Sequence, residues 1–224
     1  MKKYVIIVAG GKGLRMGGEI PKQFLLLNKM PVLMHTIEVF YQYDPKINII
    51  LVLPENQKSY WQELCEIHPF KISHTLVLGG ETRFHSVKNG LQWVEKDSIV
   101  AIHDGVRPLV SNAVITRTFN QVESGKAVCP VIPLVDSIRK KTETGTKSVN
   151  RGNYCLVQTP QVFLSNLLID AYTLDFSDKF TDDISVIEAF GSCEPVMVEG
   201  NSENIKITTP IDLATAEAIL KCRN

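Results

Sequence analysis

The first apolar run of the chain, Lys3–Val8, carries no polar residue after its opening lysine and reads as a buried strand. Comparable runs recur at 47–53, 72–78, 98–102 and 127–131. Between them, 57–65, 83–94 and 114–122 carry helical spacing; in the second, Val87, Leu91 and Val94 fall on one face. Strands alternating with helices predict an α/β fold with a single Rossmann-like wound, mostly parallel sheet. Farther on, 164–172 and 184–190 read as helices, and 196–199 and 205–208 as short strands. A final helix starts with Thr209 as N-cap, Pro210 at the first helical position and Asp212 three residues after the cap. No linker, repeat or low-complexity tract divides residues 1–224, so one domain is expected.

The alternation breaks at 136–158. Two short polar strands flank a tip containing Gly145, which predicts a β-hairpin arm. Such an arm has little apolar surface of its own and needs a partner to cover it, so a homodimer built partly through the arm is expected; a solvated loop is the alternative.

Immediately after the first strand comes a glycine-rich loop loaded with cations: Ala9-Gly10-Gly11-Lys12-Gly13-Leu14-Arg15-Met16-Gly17-Gly18, then Pro21-Lys22-Gln23. Glycines let backbone N–H groups turn inward and approach a ligand closely. With Lys12, Arg15 and Lys22 beside them, the loop is suited to a polyanion such as a triphosphate. It is not a P-loop, because no Gly-x-x-x-x-Gly-Lys-Ser/Thr string exists. Nor is it a dinucleotide fingerprint: Met16 stands where the third glycine belongs. Since ligands of wound sheets sit outside the carboxyl ends of the strands, both this loop and His103-Asp104-Gly105 fall at the ligand edge.

Charge narrows the partners. Lys plus Arg and Asp plus Glu each number 24, so nothing draws the whole chain to nucleic acid or an anionic membrane. The five cysteines are scattered, with no Cys-x-x-Cys and no zinc spacing. An odd count without a secretion signal or an apolar span points to a reducing, cytoplasmic setting.

The Gly10–Met16 loop with Pro21-Lys22-Gln23 resembles the signature of sugar-phosphate nucleotidyltransferases. His103-Asp104-Gly105-Val106-Arg107-Pro108 narrows the resemblance to cytidylyltransferases acting on polyol phosphates. Further pieces match in order: Gly79-Gly80-x-x-Arg83 with Ser86, Arg151, Gln158-Thr159-Pro160-Gln161, Thr181-Asp182-Asp183 and Asn204-Ile205-Lys206-Ile207-Thr208. Within that family the chain looks most like the methylerythritol-phosphate branch of non-mevalonate isoprenoid synthesis. The ribitol 5-phosphate branch is the alternative, a nucleotide-binding regulatory module without turnover is another, and a nicotinamide dehydrogenase is remote.

The resemblance implies attack of a polyol phosphate oxygen on the α-phosphorus of CTP, giving a CDP-alcohol and pyrophosphate. It assigns Arg15 and Lys22 to stabilising charge at that phosphorus, and Arg151 and Lys206 to holding the substrate phosphate. Asp104, Arg107 and Thr181 would contact the polyol, with Asp104 also the acid nearest a Mg²⁺ held mainly by phosphate oxygens and water. Ala9, Gly10, Gly11, Gly13, Gly80, Arg83 and Ser86 would bind the nucleotide. Plainer readings stand beside these. Asp104 is also a candidate turn cap, Arg107 the partner of a local carboxylate, Thr181-Asp182 a helix start and Thr159 a structural loop residue. Ser86 is equally a hydroxyl bonded to its own helix, and Arg151 and Lys206 surface cations.

Overall fold

The structure, a computed structural model, describes residues 1–10, 20–191 and 193–223, without the side chains of 123–125. In chain order its elements are β1 (Lys3–Val8), β2 (Leu26–Leu27), β3 (Met30–Pro31), α1 (Val32–Tyr43), β4 (Asn48–Leu53), α2 (Lys58–Ile67), β5 (Thr75–Leu78), α3 (Arg83–Leu91), β6 (Ile99–Asp104), α4 (Asn112–Gly125), β7 (Ala127–Pro133), β8 (Arg139–Thr142), β9 (Gly145–Ser148), β10 (Cys155–Val157), β11 (Gln161–Leu164), α5 (Ser165–Ala171), α6 (Asp183–Phe190), β12 (Val196–Glu199) and α7 (Pro210–Arg223).

Eight of the described strands form one sheet. β5, β4, β1 and β6 run parallel, in that spatial order. At β6 the direction changes, because β11 lies antiparallel to it, with Gln161 opposite Ile102 and Leu164 opposite Ile99. Val128 of β7 pairs with both Val162 of β11 and Val196 of β12; Val131 pairs with both Val157 of β10 and Glu199 of β12. A strand residue has two lateral neighbours, so β10 and β11 lie on one side of β7 and β12 on the other. β10 and β11 are thus one ribbon, interrupted at the cis Thr159–Pro160 bond.

The unbroken apolar strands have a simple cause: both faces of the sheet are covered. Val5 and Ile7 of β1 pack with Leu33, Ile37 and Phe40 of α1, Trp61 of α2 and Ile115 of α4. Tyr4 and Ile6 point the other way, to Phe84 and Val87 of α3, Leu168 of α5 and Ile187 of α6. A third cluster seats α7 through Ala216 against Leu27, Val106 and Ile207.

Three sequence readings change. α1 is not among the helices predicted from spacing; its buried set runs Val32, Leu33, Met34, Thr36, Ile37 and Phe40, so too much of its circumference is apolar to give a clear stripe. Residues 205–208 do not form a strand; Ile207 N–H donates to the Val106 carbonyl at 2.9 Å, outside any ladder. The Thr209 hydroxyl is buried without a hydrogen-bond partner. The start of α7 is capped from inside instead: the Asp212 carboxylate accepts from Thr208 N–H, the Thr208 hydroxyl and Thr209 N–H, each at 2.8 Å.

The predicted arm is present as β8 paired antiparallel with β9, Arg139 opposite Ser148 and Thr142 opposite Gly145. Both strands are exposed along their whole length. At its base Val135, Tyr154, Leu156 and Val157 are also exposed.

Candidate active site

The carboxyl ends of β1, β4, β5 and β6 open into a cavity of about 250 Å³. Ala9, Gly10, Lys22, Gly80, Arg83, Ser86, Asp104 and Lys206 all line it, so eight residues singled out from the sequence share one space. Gly11, Gly13 and Arg15, with Lys12, lie outside the described residues.

Each lining residue arrives there for a local reason. Ala9 and Gly10 continue β1, with Ala9 N–H donating to the Val52 carbonyl at 3.0 Å. Lys22 opens a short 3-10 turn, Lys22–Phe24. The next residue, Gln23, is buried and ties the turn to β1, its Nε2 donating to the Ala9 carbonyl at 2.8 Å and to Gln57 Oε1 at 2.6 Å. Phe24 stacks against Trp61, ring centroids 6.2 Å apart. Together these hold the Lys22 turn to the rim.

At the end of β5, Ser86 Oγ accepts from Gly80 N–H at 3.1 Å and donates to the Thr82 carbonyl at 2.9 Å. The plain reading of Ser86 therefore describes its hydrogen bonds, which shape the Gly79-Gly80 turn beside the cavity. A Cβ on Gly80 would stand 2.5 Å from His85 Cβ, so only glycine permits this close turn.

Asp104, at the tip of β6, is the electrostatic centre. Its Oδ2 lies 3.0 Å from Lys206 Nζ and 3.2 Å from Arg107 Nε, and its Oδ1 is 3.9 Å from Arg83 Nε. Burial by itself would push the Asp104 carboxyl up; the Lys206, Arg83 and Arg107 cations outweigh it and hold the group well below the usual carboxylate range. A divalent ion at this carboxylate would compete with three fixed positive charges. Among the described residues, no group of three or more His, Cys, Asp or Glu side chains is arranged to hold a metal.

Arg83 also reaches the other way. Its Nη1 and Nη2 donate to Oδ1 and Oδ2 of Asp183 at 3.0 and 2.6 Å, and Tyr172 OH donates to Asp183 Oδ1 at 2.6 Å. Arg107 is largely buried between Asp104 and the Asn204 carbonyl, to which its Nη1 donates at 2.7 Å. It is not among the residues lining the cavity, and its local carboxylate partner is Asp104.

Thr181 is exposed and immediately precedes Asp182, which caps α6: Asp182 Oδ1 accepts from Ser185 N–H at 2.9 Å and Ser185 Oγ accepts from Asp182 N–H at 3.2 Å. The helix-start reading of Thr181-Asp182 therefore holds geometrically. Arg151 is exposed at the foot of the arm, donating through Nη1 to the Val135 carbonyl, and is not among the cavity-lining residues.

Gln158-Thr159-Pro160-Gln161 is a motif of the family resemblance, in which Thr159 reads either as lining the substrate pocket or as a structural loop residue. In the fold its side chains reach three separate segments. Gln158 grips Asn201, donating to its carbonyl at 2.9 Å and accepting its N–H at 3.2 Å. Thr159 Oγ1 accepts from Asp104 N–H at 3.1 Å and sits 3.0 Å from His103 Nδ1. His103 Nε2 faces the Arg107 carbonyl at 3.1 Å and must donate to it; Nδ1 is then the acceptor of the Thr159 hydroxyl proton. Burial pushes the His103 imidazole down to about 4, so it stays neutral. Gln161 Oε1 accepts from Asp183 N–H and Ile184 N–H at 3.1 and 3.0 Å, and its Nε2 donates to Asp182 Oδ2 at 2.8 Å. Two buried amides and a hydroxyl on one ribbon are the sequence signal for such a hub, since buried polar groups must be paired.

The family sequence model described as IspD, 2-C-methyl-D-erythritol 4-phosphate cytidylyltransferase, matches residues 3–222. A relative with that enzyme name from Azobacteroides pseudotrichonymphae genomovar. CFP2 is 58% identical over 219 residues, 98% of this chain and 99% of its own. Another from Bacteroides fragilis is 57% identical over 221 residues, 98% and 100%. Among solved structures, a 4-diphosphocytidyl-2C-methyl-D-erythritol synthase from Anaerococcus prevotii DSM 20548 superposes with a TM-score of 0.83 at 28% identity, covering 98% of this chain and 96% of that one. The 2-C-methyl-D-erythritol 4-phosphate cytidylyltransferase of Thermus thermophilus gives 0.80 at 28% identity, covering 99% and 100%.

Proposed function

The chain belongs to the 2-C-methyl-D-erythritol 4-phosphate cytidylyltransferase family, and from that premise we propose how its own residues carry the reaction. The protein is a nucleotidyltransferase of isoprenoid synthesis: it transfers the cytidylyl group of CTP to 2-C-methyl-D-erythritol 4-phosphate, releasing pyrophosphate. The observation that carries the residue assignment is that Lys22 and Lys206 line one cavity with Gly80, Ser86 and Asp104.

The substrate phosphate oxygen attacks the α-phosphorus as the bond to pyrophosphate breaks. A phosphate monoester loses its second proton near pH 6, so the nucleophile is anionic at neutral pH and needs no base. His103, buried and hydrogen-bonded through both nitrogens, is not available as one. The protein's task is positioning and charge stabilisation. Lys22, with Arg15, stabilises the charge that grows at the α-phosphorus, and Lys206 holds the incoming phosphate. Asp104 orients Lys206 and accepts from a polyol hydroxyl. Ala9, Gly10, Gly11, Gly13, Gly80, Arg83 and Ser86 seat the nucleotide. Mg²⁺ bound with CTP would be held mainly by the phosphate oxygens and water and would supply charge neutralisation there; Asp104, already paired with three cations, is the carboxylate assigned to its neighbourhood.

We further assign Arg151, Arg107 and Thr181 to the polyol-phosphate side in a homodimer joined through residues 136–158. The exposed apolar residues at the arm's base support a second copy as the partner. Among the described residues no helix is long and apolar enough to cross a membrane, and the scattered free cysteines fit a cytoplasmic enzyme. Pyrophosphate release from CTP and Mg²⁺ across a panel of polyol phosphates is the decisive measurement. Methylerythritol phosphate is expected to be preferred; preference for ribitol 5-phosphate, or CTP binding with no turnover, refutes the reading.

A further inference from the structure

We propose that Gln158 is a positioning residue for the polyol-phosphate side of the reaction, setting the height of segment 200–206 and so delivering the Lys206 ammonium to the cavity. This rests on the assignment of Lys206 to the substrate phosphate.

Gln158 is buried, and its amide pairs with both backbone groups of one residue: Nε2 donates to the Asn201 carbonyl at 2.9 Å while Oε1 accepts Asn201 N–H at 3.2 Å. That double pairing needs a donor and an acceptor on one planar group, which glutamine has and leucine or glutamate lacks. The segment is pressed onto this amide. A Cβ on Gly200 would collide with Gln158 Oε1, so any larger residue here has to displace that amide. Gly200 N–H itself donates to the Val131 carbonyl at 2.8 Å, and Gln158 N–H to the Pro130 carbonyl at 2.8 Å, so the amide bridges two segments anchored on adjacent residues of β7.

Downstream the chain has further ties. Asn204 Nδ2 donates to the Thr159 carbonyl at 2.8 Å, the Asn204 carbonyl accepts from Arg107, and Ile207 N–H donates to Val106. Lys206 sits between these anchors with no ladder to hold it, and its Nζ ends 3.0 Å from Asp104 Oδ2. A lysine stem is flexible, so the position of its ammonium follows the backbone that carries it. The Gln158 amide also lies 3.5 Å from both the Asn204 carbonyl and its side-chain amide, so its loss loosens residues 201–204 and leaves the exit fixed at Ile207. The nucleotide-side residues, on β1, the Lys22 turn and α3, are not touched by Gln158.

The test is steady-state pyrophosphate release with CTP and methylerythritol phosphate varied separately, in Gln158→Leu, Gly200→Ala, Lys206→Ala and Gln158→Leu/Lys206→Ala. Gln158→Leu and Gly200→Ala are each expected to raise KM for the polyol phosphate about tenfold with KM for CTP unchanged. Gln158→Leu is expected to add nothing once Lys206 is gone. Gly200→Ala changes one Cβ and keeps the test alive if Gln158→Leu does not fold. Equal changes in both KM values, no change in either, or a full additional loss on top of Lys206→Ala overturns the proposal, because a merely stabilising side chain would behave in one of those ways. If Lys206→Ala itself leaves the polyol phosphate KM unchanged, the assignment of Lys206 falls and the proposal with it; if Lys206→Ala raises that KM and the other two do not, the proposal alone falls.

Discussion

Arg83 and Asp183, 100 residues apart in sequence, join through two parallel hydrogen bonds of 3.0 and 2.6 Å. The pair fastens the start of α3, on the parallel half of the sheet, to the start of α6, beside the antiparallel half. Asp183 is fully buried, while the Arg83 side chain keeps some solvent contact and a second carboxylate, Asp104, at 3.9 Å. Asp183→Asn removes the nearer counter-charge and is expected to destabilise the protein by roughly 2–4 kcal/mol, less than the loss of a fully buried partner because Arg83 keeps solvent and Asp104. For a chain of this size that is a fall in Tm of about 5–15 °C. Thermal unfolding checks it, and an unchanged Tm refutes it.

His103 makes stability depend on pH. Its folded-state value of about 4 lies below the ordinary 6.5, so the unfolded chain takes up a proton first as pH falls. The contribution is complete above pH 6.5 and is lost progressively from there down to about 4, a loss on the order of 3 kcal/mol. The depressed Asp104 carboxyl acts in the same direction, but its contribution disappears only below the ordinary carboxylate value. Urea unfolding at pH 7, 6 and 5 is expected to show the slope in the native protein and to lose it in His103→Gln.

Lys22→Ala is expected to lower kcat by about 10²–10³-fold with a smaller change in KM for CTP, because a fixed cation acts most where charge grows in the transition state. Single-turnover pyrophosphate release reads the chemical step directly. An unchanged rate removes Lys22 from it.

The exposed apolar residues at the foot of the arm make Leu156→Asp a clean disruption, since the side chain is already half in solvent in one protomer. Sedimentation is expected to show a dimer for the native chain and a monomer for the variant. Arg151→Ala is expected to raise KM for the polyol phosphate without splitting the dimer. A native monomer, or normal substrate saturation in Arg151→Ala, returns the arm and its arginine to a solvated surface role.

Much of the wound sheet was legible because burial on both faces turns β1, β4, β6 and β7 into apolar runs, a signal that needs no tertiary knowledge. The lining residues were legible through a different route, the resemblance of short motifs, since nothing in the spacing between Gly80 and Lys206 says that they meet. What stayed hidden was carried by polar contacts across long separations. Gln158, Gln161 and Asn204 stand in motifs of the family resemblance, but nothing along the chain names the distant groups that they pair with. Segment 205–208 has strand-like alternation, yet tethers at both ends take the place of a ladder. Thr209 has the composition of a cap, but its hydroxyl makes no hydrogen bond while Asp212 takes the N–H groups of Thr208 and Thr209 just ahead of the helix.

The reversal of strand direction at β6 has a practical corollary. No residue assigned to the nucleotide lies beyond Ser86, and none assigned to the polyol phosphate precedes Asp104. Donor and acceptor chemistry therefore occupy consecutive stretches of one polypeptide instead of being interleaved. A graft of the C-terminal stretch from a cousin with different tastes could retarget the alcohol while leaving the triphosphate cradle as it is, and the Arg83–Asp183 clasp marks the seam such a chimera would have to preserve.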